Sequence, residues 1–166
     1  IRDGLPWVAS NTDLSIPTDD GIGPGHGVLV RMLQDFCGVD PVVAGKPERP
    51  LLDETVRRVG GERPLMIGDR LDTDIEGARN AGIDSLLVMT GVTGIAELVA
   101  APEPLRPTFL SADLGGLFVT HPAPTDDGDD TVLGGWRGSV RDGRLEVAGE
   151  GSDDDWWRVV ATVAWR

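Results

Sequence analysis

Three aspartates lie close together after a short apolar segment. Residues 65–67 are apolar, Gly68 follows them, and Asp69, Asp72 and Asp74 come next. Carboxylates crowded at the end of a buried strand repel one another unless a cation lies among them, and Mg²⁺ binds through such oxygens. The pattern therefore predicts a metal site at the edge where open α/β sheets place their chemistry. A solvated acidic turn that opens a helix from Asp72 to Asn80 is the alternative interpretation.

A lysine ends a second apolar segment upstream. Residues 41–45 lead into Lys46, Pro47 follows, and a helical pattern covers residues 48–59. If the two strands are neighbours in a parallel sheet, Lys46 and Asp69 emerge at the same edge. An ammonium beside carboxylates holds phosphate oxygens and reduces the repulsion between the acids. We therefore predict a phosphoryl-binding site, although a lone lysine is more often simply exposed.

These motifs together resemble those of the haloacid dehalogenase superfamily of phosphatases. The resemblance is to the branch that holds 4-nitrophenylphosphatase-like, pyridoxal phosphate, phosphoglycolate and glycerol-3-phosphate phosphatases. It covers about the first 120 residues, judged by motif matching. The segments that carry it are residues 7–13, 44–47, 68–74 and 81–92, together with residues 17–27, which are predicted to form a loop.

The resemblance implies a Mg²⁺-dependent hydrolase of a small phosphorylated metabolite, of the glycerol 3-phosphate or 2-phosphoglycolate type. It implies that Lys46 contacts the phosphate and that Asp69 is the metal ligand. Asp74 would be a second catalytic acid that bonds toward Lys46 or a metal-bound water. The residues implied to bind substrate, besides Lys46, are Arg70, Leu71, Asp72, Asp13, Ser15 and Ile16. For the segment around Ser15, an ordinary connecting loop is an equally open interpretation.

The nucleophile motif of the family has no counterpart in this sequence. Its aspartate belongs to an Asp-x-Asp-Gly motif after the first core strand, and the similar spacing of Asp72 and Asp74 follows a turn instead. We therefore expect this chain to be the carboxyl-terminal part of a longer enzyme and to be inactive alone. The missing amino-terminal part would supply the aspartate that forms an aspartyl-phosphate. A catalytically silent metal- and phosphate-binding regulatory module and a purely structural α/β domain are the alternatives.

Short apolar segments alternate with helical patterns, which predicts an α/β fold with a parallel, doubly wound, Rossmann-like sheet. We expect part of an α/β cap in residues 1–41, the hydrolase core in 42–120, a linker in 121–130, and a small α+β carboxyl-terminal extension in 131–166. Within the core, Ser111 is predicted to cap a last helix.

Two local signals organise the extension. An Asp142-Gly143 turn between alternating segments predicts a β-hairpin, and Ser152 is predicted to cap a helix that runs to Arg166. The hairpin and helix are too small to be stable alone, so we expect them to dock on the core or on a missing segment.

Composition excludes some partners. The net charge of −13 argues against nucleic acid and anionic membranes, which would repel the chain. The single cysteine, Cys37, cannot form an internal disulfide, and no apolar segment approaches the ~20 residues that cross a bilayer. Together with the family resemblance, these features predict a cytoplasmic protein. The sequence leaves open whether it forms a homo-oligomer.

Overall fold

The computed structural model describes residues Ile1 to Arg166, which form two compact units. The first unit comprises Ile1–Met66 and Asp72–Asp84, and the second comprises Ile67–Leu71 and Ser85–Arg166. Parallel strands and helices are present, so the predicted α/β class is confirmed. None of the helices has the length and hydropathy required to cross a bilayer.

The first unit contains a parallel strand pair, a hairpin and three helices. Its strands are β1 (Val8–Ala9), β2 (Ser15–Thr18), β3 (Gly21–Pro24) and β4 (Val42–Val43), and its helices are α1 (His26–Cys37), α2 (Pro50–Val59) and α3 (Glu76–Ala81). Strand β1 pairs in parallel with β4. The carboxyl ends of both strands therefore lie at one edge, and each leads into a segment that carries charged residues.

The segment before α1 is a hairpin, whereas the sequence predicted a loop over residues 17–27. Strands β2 and β3 pair antiparallel, with Thr18 opposite Gly21. Asp19 and Asp20 therefore form a two-residue turn, and the φ of +117° at Gly21 suits a glycine. The prediction was wrong because Pro17 lies within β2 and Gly23 within β3, and both residue types are rare in strand interiors.

The second unit is built on a three-stranded parallel sheet and a four-stranded antiparallel sheet. Its strands are β5 (Leu65–Gly68), β6 (Asp84–Val88), β7 (Phe109–Ser111), β8 (Thr125–Asp127), β9 (Asp130–Leu133), β10 (Trp136–Arg141) and β11 (Arg144–Gly149). Its helices are α4 (Ile95–Val99) and α5 (Asp153–Ala164). The first two residues of β5 and the first residue of β6 belong to the first unit. The parallel order is β5-β6-β7 and the antiparallel order is β11-β10-β9-β8.

The helix predicted to begin at Ser111 is absent. Ser111 is the last residue of β7, and its hydroxyl donates to the Asp154 carboxylate at 2.8 Å. A short 3₁₀ helix, Leu114–Phe118, follows instead, and the Asp113 carboxylate caps it by accepting from the Gly115 backbone N–H. Two adjacent glycines in this segment disfavour a regular α-helix, which explains the difference.

Both local signals in the carboxyl-terminal segment are confirmed. Arg141 pairs with Arg144 across the Asp142-Gly143 turn. The Ser152 hydroxyl accepts from the Asp155 backbone N–H and caps α5, which ends at Ala164. The hairpin belongs to a larger sheet than expected, because β8 and the start of β9 lie within the predicted linker.

Helix α5 links the two sheets of the second unit. It packs against β7 as well as against β9, β10 and β11. Val159, Val160 and Val163 are buried on its inner face, and the buried Arg158 donates to the Leu110 carbonyl of β7 at 3.2 Å. The expectation that this segment docks on the core is therefore confirmed.

Candidate active site

Lys46 lies at the centre of an ionic cluster in the first unit. Its Nζ is 2.6 Å from Asp74 Oδ1 and 3.3 Å from Asp13 Oδ2. The side chains of Lys46, Asp74 and Asp13 are 30%, 4% and 21% exposed. Burial acts to lower the pKa of Lys46, but the hydrogen bond and charge of Asp74, together with those of Asp13, raise the pKa above its ordinary value. The ammonium therefore stays charged at neutral pH.

Backbone contacts fix the loop that carries Lys46. The Lys46 carbonyl accepts from the Thr12 backbone N–H at 3.2 Å, and the Pro47 carbonyl accepts from the Asn80 side chain at 2.8 Å. A Cβ at position 45 would overlap the Ser10 carbonyl, so only glycine permits this approach. The Gly-Lys-Pro segment is thus held at both of its ends by other parts of the first unit.

Asp74 is presented by an unusual helical turn. Residues Leu71–Ile75 form one turn of π-helix before α3 begins, whereas the sequence predicted a regular helix from Asp72. Such turns are rare in proteins and frequently occur at functional sites. Thr73, Asp74 and Ile75 are all buried. The turn therefore places the Asp74 carboxylate in the interior, where it accepts the Lys46 hydrogen bond.

The loop after β6 orients Asp69 within the second unit. The Val92 backbone N–H donates to Asp69 Oδ2 at 2.7 Å, and the Thr93 backbone N–H donates to the Asp69 carbonyl at 3.0 Å. A Cβ at position 91 would overlap the Asp69 carboxylate, so Gly91 is required for this packing. This role of Gly91 was not predicted from the sequence. A glycine three positions after the last residue of β6 was the only available signal of this role.

The remaining predicted substrate-binding residues differ in exposure. Arg70 and Leu71 are buried, and Asp72 is exposed. Asp72 lines a surface cavity of about 400 Å³ together with residues that include Thr12 and Pro47. Their contact with a substrate stays a prediction.

Ser15 and Ile16 lie in β2 of the hairpin. They pair with Pro24 and Gly23 of β3, and the Ile16 side chain is 53% exposed. Asp13, which precedes this hairpin, contacts Lys46 instead. The structure therefore brings Lys46, Asp74 and Asp13 together, while Ser15 and Ile16 lie in the strand that follows Asp13 in sequence.

Asp69 suits Mg²⁺ as a single carboxylate ligand. Its carboxylate oxygens are hard donors, and the Val92 N–H fixes the orientation of one of them. No three acidic, histidine or cysteine side chains of this chain converge to hold a metal ion. Mg²⁺ usually keeps several waters and takes one or two carboxylates plus phosphate oxygens, so one carboxylate is compatible with it.

Comparison with known proteins connects these features with phosphatases. The family described as HAD-hydrolase-like matches residues 43–117. The D-glycerol 3-phosphate phosphatase of Mycobacterium tuberculosis is 41% identical over 161 residues, which cover 93% of this chain and 43% of that protein. A 5'-nucleotidase of Bacillus subtilis is 44% identical over 95 residues, which cover 56% of this chain and 37% of that protein.

Solved structures agree with these sequence matches. A glycerol phosphate phosphatase from Mycobacterium tuberculosis in complex with magnesium superposes with a TM-score of 0.77 at 39% identity, covering 99% of this chain and 49% of that one. A 4-nitrophenylphosphatase from Thermotoga maritima gives a TM-score of 0.63 at 34% identity, covering 70% of this chain and 45% of that one. This chain spans less than half the length of these relatives.

Proposed function

Because this chain belongs to the haloacid dehalogenase-like hydrolases, we propose that the complete protein hydrolyses a small phosphomonoester with the help of Mg²⁺. Glycerol 3-phosphate is the first proposed substrate, since the relative that matches 93% of this chain is named for it. 2-Phosphoglycolate is the second. The proposal includes a cytoplasmic location and a small metabolite rather than a nucleic acid or membrane as the partner, in keeping with the net charge of −13.

The ion pair between Lys46 and Asp74 is the observation that carries this proposal. Asp74 is almost fully buried, and its bond to the Lys46 ammonium is 2.6 Å long. In the proposal Asp74 orients the ammonium, and Lys46 holds oxygens of the phosphoryl group as negative charge moves during transfer. A lysine that stays charged in a half-buried place is suited to this task.

Asp69 is proposed as the Mg²⁺ ligand. When bound, Mg²⁺ supplies charge stabilisation to the phosphoryl oxygens. The attacking aspartate would come from outside this chain, and its aspartyl-phosphate would then be hydrolysed by water. Arg70, Leu71 and Asp72, together with the strand that carries Ser15 and Ile16, are the proposed contacts for the rest of the substrate.

Kinetics of the complete protein test this function. We expect Mg²⁺-dependent release of phosphate from glycerol 3-phosphate, and a loss of about 10²- to 10³-fold in kcat/KM for Lys46→Met, the range measured when one stabilising contact is removed. Asp69→Asn should abolish the activity. The isolated 166-residue chain should show no Mg²⁺-dependent hydrolysis of 4-nitrophenyl phosphate.

Arg57→Gln is the matched control for these substitutions. Arg57 forms an exposed ion pair with Glu54 at 2.6 Å, so its loss removes a cation without touching the proposed site. Its kcat/KM should equal that of the wild type. Full activity in Lys46→Met or Asp69→Asn, or rapid turnover by the isolated chain, would contradict the proposal.

A further inference from the structure

Lys46 has a second carboxylate partner besides Asp74. Asp13 Oδ2 lies 3.3 Å from Lys46 Nζ, and it comes from the segment between β1 and β2 rather than from the turn that carries Asp74. An ammonium on a flexible four-carbon stem has three donor hydrogens and can rotate about a single partner. Two carboxylates from separate elements restrict its position far more than one does.

Backbone contacts hold Asp13 in place. Its N–H donates to Asn11 Oδ1 at 3.1 Å, and its carbonyl accepts from the Gly27 N–H at 2.8 Å. A Cβ on Gly27 or Gly25 would overlap the backbone of residues 12–13, so the close contact between this segment and the start of α1 requires glycine. The Asp13 carboxylate therefore projects from a fixed backbone toward Lys46.

We infer that Asp13 is a positioning residue that acts through Lys46, fixing its ammonium for the phosphoryl group, and not a contact that selects the alcohol part of the substrate. The resemblance to the family had placed Asp13 among the substrate-binding residues. The inference rests on the proposed function, because it assigns Asp13 a task in phosphoryl transfer. Burial is the largest influence on the pKa of Lys46 and lowers it, whereas Asp74 raises this pKa. The charge of Asp13 raises it further, by less than Asp74 does.

Two substrates with different alcohols separate these roles. In the complete protein, Asp13→Asn should lower kcat about tenfold, equivalent to a loss of about 1.4 kcal/mol of transition-state stabilisation, with KM changed by less than about twofold. The factor should be the same for glycerol 3-phosphate and 4-nitrophenyl phosphate, because both present the same phosphoryl group. A loss confined to glycerol 3-phosphate, a change mainly in KM, or no change for either substrate would overturn the inference.

A double-mutant cycle tests whether Asp13 acts through Lys46. In a Lys46→Met background, Asp13→Asn should change kcat by less than about twofold, since the group that Asp13 positions is gone. A further tenfold loss in that background would show an independent role and overturn the inference. Asp53→Asn is the control, because Asp53 forms an exposed ion pair with Arg49 at 3.2 Å and should leave the kinetics unchanged.

A measurement without turnover separates this inference from the proposed function. Nuclear magnetic resonance of the Lys46 side chain gives its pKa in the wild type and in Asp13→Asn, and we expect a lower pKa in the variant. If the wild type hydrolyses no ester, the proposed function fails while this titration still tests the pairing. If the wild type is active but the pKa of Lys46 is the same in Asp13→Asn, the positioning role of Asp13 is overturned while the proposed function stands. Should Asp13→Asn not fold, Asp13→Ser is assessed by the same criteria.

Discussion

At the scale of single residues, backbone amides determine the direction of the proposed metal ligand. Asp69 receives one hydrogen bond on its carboxylate from Val92 and one on its carbonyl from Thr93. Gly91 leaves the space that the carboxylate occupies. Mutation of groups that orient a metal ligand in this way typically lowers metal affinity or activity about 10- to 100-fold.

Gly91→Ala tests this arrangement. The added methyl group would overlap the Asp69 carboxylate and displace it, so we expect Mg²⁺ affinity to fall about 10- to 100-fold, as for other groups that orient metal ligands. Titration calorimetry of Mg²⁺ binding to the complete protein measures this. Gly77→Ala is the control, because the nearest heavy atom to its added Cβ, Leu52 Cδ1, would lie at an ordinary 3.5 Å. Wild-type Mg²⁺ affinity in Gly91→Ala would show that the loop does not orient Asp69.

Lys46, Asp69 and Asp74 could be predicted as site residues from the sequence, because a charged residue after an apolar strand is a local pattern. It did not predict the ion pair between Lys46 and Asp13, nor the hydrogen bond from Val92 to Asp69. These contacts depend on loops that meet only in the folded chain, and no local pattern specifies which loops will meet.

At the scale of elements, charged side chains connect the strands of the antiparallel sheet. The Asp130 carboxylate at the start of β9 accepts from Arg137 at 2.8 Å and from Arg141 at 3.3 Å, and both arginines belong to β10. The hydrogen bond from Arg137, with that from Arg141, holds the pKa of Asp130 below its ordinary value of 3.8. The contribution of Asp130 to the stability of this sheet therefore depends on pH.

The lowered pKa of Asp130 predicts how Asp130→Asn depends on pH. A carboxyl group with a depressed folded-state pKa stabilises the protein above its unfolded-state pKa and loses that effect as pH falls through the folded value. The variant should therefore have a lower urea midpoint than the wild type at pH 7, and the difference should shrink as pH falls through 3.8 toward the lower folded-state pKa. Because its partners Arg137 and Arg141 are 50% and 64% exposed, we expect a small effect.

Urea titrations at several pH values measure this difference, with the neighbouring exposed Asp129→Asn as the control. A difference between Asp130→Asn and the wild type that stays constant from pH 7 to pH 3 would contradict the assignment.

Local signals predicted some elements well and missed others for a physical reason. The Asp142-Gly143 turn and the Ser152 cap were correct because each is specified by a few adjacent residues. Strand β8 and the hairpin β2–β3 were missed because two of the three residues of β8 are acidic, and because β2 and β3 contain proline or glycine. Their strand conformation comes from pairing with a neighbour, which outweighs the low intrinsic propensity of these residues.

At the scale of the whole molecule, the proposed chemistry depends on two groups of residues. Lys46 with its carboxylates belongs to the first unit, and Asp69 with its loop belongs to the second. The proposed function requires that both groups act on the same phosphoryl group. The similarity to phosphatases supports this proposal. The family could be identified from the sequence because the Gly-Lys-Pro and Gly-Asp segments are distinctive.

A crystal structure of the complete protein with Mg²⁺ and beryllium fluoride, a phosphoryl mimic, tests this requirement most directly. The account predicts Mg²⁺ on the Asp69 carboxylate and a fluoride of the mimic within hydrogen-bond distance of Lys46 Nζ. Metal and mimic bound elsewhere, or side chains of Lys46 and Asp69 too far apart to share one ligand, would contradict it.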